Sequence, residues 1–178
     1  MDLGVISVRY ARALLKCATK QKQEAEVYAE MESLMESYIH FPLLRQTLDN
    51  PLLDNKNKIN LLETACGGAP SDLTRRFFQL VLKEGRIGAL QFMAASYITL
   101  YRQEKNIIFG KITTAVAVSK DTEDKLRKLI EDKTHGTVEF NTEVDSEILG
   151  GFILEYDTFR MDMSVRTELK EVLTTLRN

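Results

Sequence analysis

The sequence predicts an α+β protein, in which an N-terminal six-helix bundle is followed by a small C-terminal α/β domain with a β-hairpin and a terminal helix. Apolar residues recur at helical spacing throughout residues 1–105. After that point the pattern changes to runs rich in Ile, Val and Thr, which favour strands. Near the end of the chain, two alternating segments lead directly into a last amphipathic stretch. We therefore expect two domains, residues 1–105 and residues 106–178.

Six helices are expected in the first domain, and proline and glycine mark where several of them end. An Asn-Pro pair ending at Pro51 breaks the chain, since the residue before proline avoids the α region. The glycines at 67–68 and Gly85 follow further apolar segments and are typical helix stops. The predicted helices are Leu3–Lys20, Lys22–Ile39, Pro42–Leu48, Lys56–Ala65, Ser71 or Asp72 to Glu84, and Ile87 or Gly88 to Gln103.

The second of these helices is expected to be amphipathic, with an apolar face toward the bundle and a carboxylate-rich face toward solvent. The residues expected to point inward are Val27, Met31, Leu34, Met35 and Tyr38. The residues expected to point outward are Glu24, Glu26, Glu30, Glu32 and Glu36.

The second domain is expected to follow the order β-α-β-β-β-α. Ile107–Val118 and Thr137–Val144 are predicted strands because both are rich in β-branched residues. Between them a helix is expected to begin at Ser119 or Asp121. Its buried residues would be Leu126, Leu129 and Ile130. Ser146–Leu149 is expected to add one turn of helix before the hairpin.

The hairpin and the last helix follow from a change of period. The first hairpin strand would place on one face Phe152, Leu154 and Tyr156. Asp157-Thr158 supplies the turn, and the residues that alternate on the return strand are Phe159, Met161 and Met163. Ser164 occupies the expected N-cap of the last helix. The apolar positions of that helix are Val165, Leu169, Val172, Leu173 and Leu176. A glycine pair at 150–151 allows two backbones to approach closely at the entry to the hairpin.

The composition is that of an ordinary globular protein, with 44% hydrophobic and 28% charged residues among 178. No apolar run is long enough to span a bilayer. The amino terminus lacks the basic region and apolar core of a signal peptide. The sequence therefore predicts neither a membrane span nor a signal peptide.

Charge and motif content exclude nucleic-acid binding and catalysis. Residues 106–178 hold the predicted strands but carry 10 Lys and Arg against 14 Asp and Glu, whereas a nucleic-acid surface would be basic. Gly110-Lys111 lacks the earlier glycine and the following Ser or Thr of a phosphate loop. No metal-binding or nucleophile motif is present in the sequence. We expect no catalytic residue, no metal and no cofactor.

The two cysteines and two histidines have structural interpretations. Cys17 and Cys66 are expected to be buried, reduced thiols, because two widely separated cysteines do not form a metal site. His40 and His135 precede predicted helix ends, where a cation interacts favourably with the helix dipole.

Two helices have more apolar surface than one buried face requires. Beside a first stripe of Val8, Ala11, Leu15 and Ala18, the first helix has a second stripe of Tyr10, Ala13, Leu14 and Cys17. In the fifth helix, Phe77, Leu80 and Val81 lie together, and two residues are expected to turn away from them, Phe78 and Leu82. A surface helix needs only one apolar stripe. Either both helices are enclosed by the other four, or they form a groove for an amphipathic helix of a partner.

Three segments are distinctive when taken together. They are Arg9–Leu14, Phe77–Ile87, and a closing run that contains Gly150–Ile153, Asp162 and Ser164–Arg166 ahead of Leu169. In this order and at this spacing they resemble the delta subunit family of F-type ATP synthases, homologous to the mitochondrial oligomycin-sensitivity-conferring subunit. The resemblance spans nearly the whole chain. It departs from the family at Asp157-Thr158 and at Met163, where the family usually has glycine.

The resemblance implies a non-catalytic stator subunit, which links the catalytic head to the membrane-anchored b subunits and resists rotor torque during proton-driven ATP synthesis. The first domain would hold the N-terminal helix of an alpha subunit between its first and fifth helices. The second domain would contact the C-terminal helices of the b subunits. One copy per complex is implied, peripheral to the bacterial inner membrane on its cytoplasmic side. The alternative is a free regulatory adaptor of the same fold in another assembly.

The expected contact residues follow from this resemblance and from the surplus apolar surface. Toward the alpha-subunit helix they are Tyr10, Leu14, Cys17, Phe78 and Leu82. Toward the b subunits they are Val165, Arg166, Leu169, Val172 and Leu176. For the last helix an alternative stays open, in which its apolar positions pack on the sheet.

Overall fold

The computed structural model describes residues 3–117, 124, 127–128, 131, 137–156 and 159–177. The chain divides into two compact units, Met1–Gln103 and Glu104–Asn178. We call them the helical unit and the sheet unit. Six helices followed by a four-stranded mixed sheet and a C-terminal helix confirm the predicted fold class.

The helical unit contains six α-helices, and a single 3-10 turn at Ile87–Ala89 precedes the last of them. The helices are α1 (Leu3–Gln21), α2 (Glu24–His40), α3 (Leu43–Asp49), α4 (Asn55–Ala65), α5 (Asp72–Lys83) and α6 (Leu90–Glu104). Side chains cap the first turn of two of these helices. The Asp54 carboxylate accepts from the Asn57 amide at 3.4 Å, and the Ser71 hydroxyl accepts from the Thr74 amide at 3.3 Å.

The core of the helical unit is formed by large apolar side chains from several helices. The largest fully buried ones are Tyr97, Phe78, Met31, Leu34, Leu48, Leu62, Leu90, Met93, Val27 and Val81. Tyr97 places its hydroxyl within 3.1 Å of the Glu24 carbonyl, to which it donates. Because the buried tyrosine keeps a hydrogen-bond partner, its ring adds apolar area to the core without an unpaired hydroxyl.

The structure corrects the sequence prediction for Glu30 of α2, which was expected to face solvent but is buried. Its carboxylate accepts hydrogen bonds from the Ser71 amide, from the Ser71 hydroxyl at 3.0 Å and from the Thr74 hydroxyl. These donors lie at the N-terminus of α5, where amide groups have no partner within the helix. The negative charge also suits the positive end of the helix dipole. Glu30 therefore fastens α5 to α2 across 41 to 44 residues of sequence.

Over its described residues, the sheet unit has four strands in the order β2-β1-β3-β4. They are β1 (Ile107–Thr114), β2 (Thr137–Val144), β3 (Gly151–Tyr156) and β4 (Phe159–Ser164), and α7 (Val165–Arg177) follows. β1 pairs in parallel with β2, while the β1–β3 and β3–β4 pairs are antiparallel. Ser146–Ile148 forms a short 3-10 turn where one helical turn is predicted.

One face of the sheet holds a small apolar cluster. Ile112 and Leu154 are direct cross-strand partners, and Val138 from the parallel neighbour completes the buried set. The partly buried residues around it are Ile108, Phe140, Phe152 and Met161. Alternation along each strand places these residues on the same side of the sheet, as the sequence predicts for Phe152 and Leu154.

The two glycines at the start of the hairpin provide the close approach that the sequence predicts. Gly151 has a positive φ of 73°, and a Cβ atom at this position would overlap the Met163 carbonyl oxygen of the neighbouring strand. A Cβ atom on Gly150 would lie 2.9 Å from a methyl carbon of Val165. Only residues without a side chain fit between β3, β4 and the start of α7.

Several predicted boundaries differ from the structure or lie outside the described residues. The first strand ends at Thr114, short of the predicted Val118. Of the predicted helix between β1 and β2, the described residues 124, 127, 128 and 131 are helical. Outside the described residues lie its start, its predicted buried residues Leu126, Leu129 and Ile130, the predicted turn Asp157-Thr158, and His135.

Candidate partner-binding surfaces

An open groove of about 370 Å³ lies between α1 and α5 of the helical unit. Its lining is mostly apolar and comes from those two helices alone among the described residues. The lining residues are Arg9, Tyr10, Ala13, Leu14 and Cys17 of α1 and Leu73, Arg76, Phe77 and Leu80 of α5. Leu80 is 46% exposed, an unusual position for a leucine beside a core. The other four helices therefore do not fully enclose α1 and α5. Of the two alternatives given above, the structure agrees with the one that leaves a groove between these helices.

Aromatic rings join the two walls at the floor of the groove. The Tyr10 and Phe77 rings meet edge to face, with centroids 6.5 Å apart and an interplanar angle of 63°. Phe77 in turn contacts Phe78, at 6.3 Å between centroids. The Arg86 guanidinium lies 5.5 Å above the Tyr10 ring, within the range of a cation–π interaction. These contacts pack Tyr10 between Phe77 and Arg86, and the rings form the floor of the groove.

The structure brings together three of the five residues predicted to contact the alpha-subunit helix. Tyr10, Leu14 and Cys17 line the groove. Phe78 and Leu82 are not among the lining residues, and both are buried, Phe78 with 0% exposure. Leu14 is also buried, but it does line the groove. Successive helix residues are rotated by about 100°, and this rotation turns Phe78 into the bundle while Phe77 stays at the groove floor. The prediction that Phe78 and Leu82 turn away from Phe77, Leu80 and Val81 toward a partner is contradicted, because both side chains lie in the core.

Three apolar groove residues of α5 are absent from the predicted contacts, as is Arg76. Leu73, Phe77 and Leu80 follow one another at spacings of four and three residues, which places them on one side of a helix. That spacing is visible in the sequence. The spacing alone does not settle which residues face the groove. Phe77 and Phe78 are adjacent apolar residues, as are Val81 and Leu82, and the sequence does not show which member of each pair faces the core.

The two cysteines differ in their surroundings. Cys66 is buried as predicted, and burial, followed by the charges of Glu30 and Glu63, raises the pKa of its thiol to about 12. Cys17 is exposed in the groove, so the prediction that it is buried is wrong. Its side chain is on the second apolar stripe of α1, which faces the groove rather than the core.

A second candidate surface is the exposed apolar side of α7. Its described apolar residues are largely open to solvent, with Leu173 66% exposed. The others are Val165, Leu169 and Val172. Leu176 belongs to α7, but its side chain lies outside the described part of the chain. These exposures do not fit the alternative in which the described apolar positions of α7 pack on the sheet.

Side chains at the start of α7 fix its direction. The Ser164 hydroxyl accepts from the Thr167 amide at 3.3 Å and donates to the Asp162 carboxylate at 2.6 Å. The Ser164 amide also donates to Asp162, at 3.0 Å. The hydrogen bonds from Ser164 are the main cause that lowers the pKa of the Asp162 carboxyl below its ordinary value. Arg166 lies 3.7 Å from Glu147, so this predicted contact residue is oriented toward the turn before β3.

The described residues show no arrangement suited to metal binding or to crossing a membrane. No group of three or more His, Cys, Asp and Glu among them could hold a metal ion. None of the helices within the described ranges is both long and apolar enough to span a bilayer.

Comparison with known proteins identifies the family. A family model described as ATP synthase delta (OSCP) subunit matches residues 6–176. The chain is 49% identical over 173 residues to ATP synthase subunit delta of Phocaeicola vulgatus, with 97% of this chain and 94% of the relative covered. ATP synthase subunit delta of Parabacteroides distasonis is 40% identical over 176 residues, with 99% and 98% covered.

The fold is also found in a solved structure. A chain in the cryo-EM structure of the Toxoplasma gondii mitochondrial ATP synthase hexamer matches with a TM-score of 0.68, covering 97% of both chains at 21% identity. The resemblance carried by Arg9–Leu14, Phe77–Ile87 and the closing hairpin is confirmed by these matches. The chain therefore belongs to the ATP synthase delta (OSCP) subunit family, the non-catalytic stator subunits of the F-type ATP synthase complex.

Proposed function

We propose that this chain connects the catalytic head to the peripheral stalk through two separate surfaces, one on each unit. The first predicted domain, residues 1–105, holds the N-terminal helix of an alpha subunit in the groove between α1 and α5 of the helical unit. The second, residues 106–178, contacts the C-terminal helices of the b subunits through α7 of the sheet unit. One copy per complex lies at the cytoplasmic side of a bacterial inner membrane, peripheral to it.

The observation that carries the first half of this proposal is the open apolar groove. Its floor is well packed, with Tyr10 edge to face on Phe77 and covered by Arg86. Its mouth is apolar, with Leu80 exposed on one wall and Ala13 on the other. An amphipathic helix that inserts its apolar side would remove these side chains from water, which is the usual source of affinity in helix-in-groove recognition.

A Leu80→Asp variant tests the groove. The aspartate would leave an unpaired charge at the centre of the buried contact, so we expect affinity for the purified catalytic head to fall about tenfold or more. Leu80 is already half exposed, so the variant should keep its helical circular dichroism and its unfolding temperature. Titration calorimetry with the head, or with a peptide of the alpha-subunit N-terminus, measures the loss.

Leu52→Asp is the matched control, because Leu52 is 92% exposed in the same unit and does not line the groove. It introduces the same charge and should leave head binding unchanged. Equal affinity of folded Leu80→Asp and wild-type protein would contradict the groove assignment.

The second half of the proposal is supported by the exposed apolar row on α7. Val165, Leu169 and Val172 follow at spacings of four and three residues, with Leu173 beside them. We expect Leu169→Asp to weaken binding to a soluble b-subunit fragment while binding to the head persists. Val144→Asp on β2, where the valine is similarly exposed, is the control. Loss of both interactions in Leu169→Asp would indicate a folding defect instead.

The free adaptor remains distinguishable by purification. A stator subunit should be recovered from membranes together with alpha, beta and b subunits, and should leave the membrane when the catalytic head is removed. Recovery as a free protein in cells that assemble the ATP synthase would favour the adaptor.

A further inference from the structure

The two helices that wall the groove are unusually basic. α1 carries Arg9, Arg12, Lys16 and Lys20 and contains no Asp or Glu. α5 carries Arg75, Arg76 and Lys83 against one carboxylate, Asp72. Residues 1–105 as a whole hold 14 Lys and Arg against 12 Asp and Glu. The excess of positive charge is therefore concentrated on the groove helices, while α2 contributes five glutamates elsewhere in the unit.

The basic residues of α1 form a row along one border of the groove. Their spacings of three, four and four residues place Arg9, Arg12, Lys16 and Lys20 on one side of the helix. Around the circumference of α1, the residues that line the groove lie next to this row, and the buried residues such as Ala11 lie beyond them. Arg9 is the member of the row that belongs to the groove lining, while Arg12 and Lys16 line an adjoining surface depression with Val5 and Val8.

α5 supplies a second row on the opposite border. Arg76 lines the groove beside Leu73 and Leu80, and Lys83 follows it seven residues later on the same side of the helix. Arg75 differs from Arg76, because it is held by Glu63 at 2.7 Å and by Asp72 at 3.3 Å. The groove thus has an apolar centre and a basic row along each wall.

These border residues have no acidic partners within the part of the chain that the structure describes. Among those residues, no ion pair joins a carboxylate to Arg9, Arg12, Lys16, Lys20, Arg76 or Lys83. The residues that line the groove include no Asp or Glu. Elsewhere in the helical unit, Arg75 and Arg102 do pair with glutamates.

We propose that the groove selects an amphipathic helix whose apolar stripe is bordered on both sides by carboxylates, which meet Arg9 and Lys16 on one wall and Arg76 and Lys83 on the other. This inference rests on the proposed function and adds the charge pattern of the partner helix. The apolar centre supplies most of the affinity, and the basic rows orient the helix and reject one with basic borders. Charges at the edge of an interface act mainly on the association rate.

The test uses the full chain and three synthetic helical peptides that share one apolar stripe and differ only at its borders, which hold Glu, Gln or Lys. We expect the Glu peptide to bind about tenfold more tightly than the Gln peptide at low salt, since several exposed ion pairs contribute a few-fold each. The Lys peptide should bind weakest. The difference should shrink at 1 M salt, where the screening length is about 3 Å.

Charge reversal gives the complementary test. An Arg9→Glu, Arg76→Glu double variant should lose the preference for the Glu peptide and gain one for the Lys peptide, with the change mainly in the association rate by surface plasmon resonance. Lys56→Glu, at an exposed site on α4 outside the groove lining, together with Lys22→Glu, gives a control with the same change in net charge, and it should keep the original preference.

Each outcome is decisive. Equal binding of all three peptides by the wild-type chain, or an unaltered preference in the double variant, overturns the charge pattern while leaving the groove intact. Failure of every peptide to bind, with Leu80→Asp also binding the catalytic head normally, overturns the proposed groove function and this inference with it. A preference that the Lys56→Glu, Lys22→Glu control also loses would show an effect of net charge alone, which contradicts recognition at the groove borders.

Discussion

The helical unit surrounds its core with side chains from many helices, whereas the sheet unit, over its described residues, packs one face around Ile112, Val138 and Leu154. The first can lose a contact and keep most of its buried area. The second depends on a few cross-strand pairs and on a close backbone approach at Gly151. We infer that packing volume dominates stability in one unit and exact backbone fit dominates it in the other.

The largest expected effect is in the sheet unit. Gly151→Ala would place a Cβ atom into the Met163 carbonyl oxygen and would keep a positive φ that L-residues avoid. We expect the free energy of unfolding of this unit to fall by at least about 3 kcal/mol, since strand separation is the only way to relieve the overlap. Thermal unfolding followed by NMR signals of the sheet residues measures the loss.

Gly85→Ala is the matched control in the helical unit. Its φ of 64° is similar, but a Cβ atom there would meet nothing within 4 Å. The free energy of unfolding should then fall only by the cost of holding an alanine at a positive φ, which is about 1 kcal/mol. If both alanines cost the same, backbone fit at the hairpin is not what distinguishes the sheet unit.

The second largest effect is expected in the helical unit, where the buried Glu30 carboxylate also depends on a close fit to its hydrogen-bond donors. Glu30→Ala would leave the Ser71 amide and the Ser71 and Thr74 hydroxyls without their buried acceptor. We expect a loss of about 2–4 kcal/mol in unfolding free energy. Denaturant unfolding is the measurement, and Glu36→Ala on the exposed side of α2 should change it by less than about 0.5 kcal/mol.

The α5 helix should show the Glu30 effect locally. Amide hydrogen exchange at the first turn of α5 is expected to accelerate in Glu30→Ala more than exchange in α6. A uniform acceleration across the helical unit would mean that Glu30 contributes only to global stability.

The smallest effect is a pH dependence of the sheet unit. The pKa of Asp162 is lowered in the folded state, so its carboxylate contributes stability at pH values above the unfolded pKa. That contribution is lost as the pH falls through the folded pKa. We expect the unfolding temperature of the sheet unit to fall less on acidification in Asp162→Asn than in wild type. Scanning calorimetry between about pH 6 and 3 compares the two, around the ordinary aspartate pKa of about 3.9, and identical slopes would refute the assignment.

Local patterns in the sequence were sufficient for most of the fold. The helix ends near Pro51 and Gly85, the strand Thr137–Val144, and the Ser164 cap follow from short-range rules and agree with the structure. The strand order could not be predicted, because it depends on which edges meet after the chain folds. Glu30 was misplaced for the same reason, since its partners lie more than 40 residues away.

The candidate site was predicted in part. The choice of α1 and α5 as groove walls agrees with the structure, and so do Tyr10, Leu14 and Cys17 as lining residues. The prediction of Phe78 and Leu82 as contact residues is wrong, because the sequence does not show which of two adjacent apolar helix residues faces the core. The basic rows are not evident from the charge total of residues 1–105, because that total does not show that the positive charges concentrate on two helices.

The bond pattern of Glu30 has a mechanical consequence for a subunit of a rotary motor. A helix held in the groove would pull on α5 whenever the head is driven to turn. The first turn of α5 is anchored to α2 by three hydrogen bonds to one carboxylate, on a residue far away along the chain. If a partner helix occupies the groove, tension on α5 would pass to α2 through these bonds instead of unwinding α5 from its first turn. Three hydrogen bonds loaded together resist a force better than the same bonds loaded one after another.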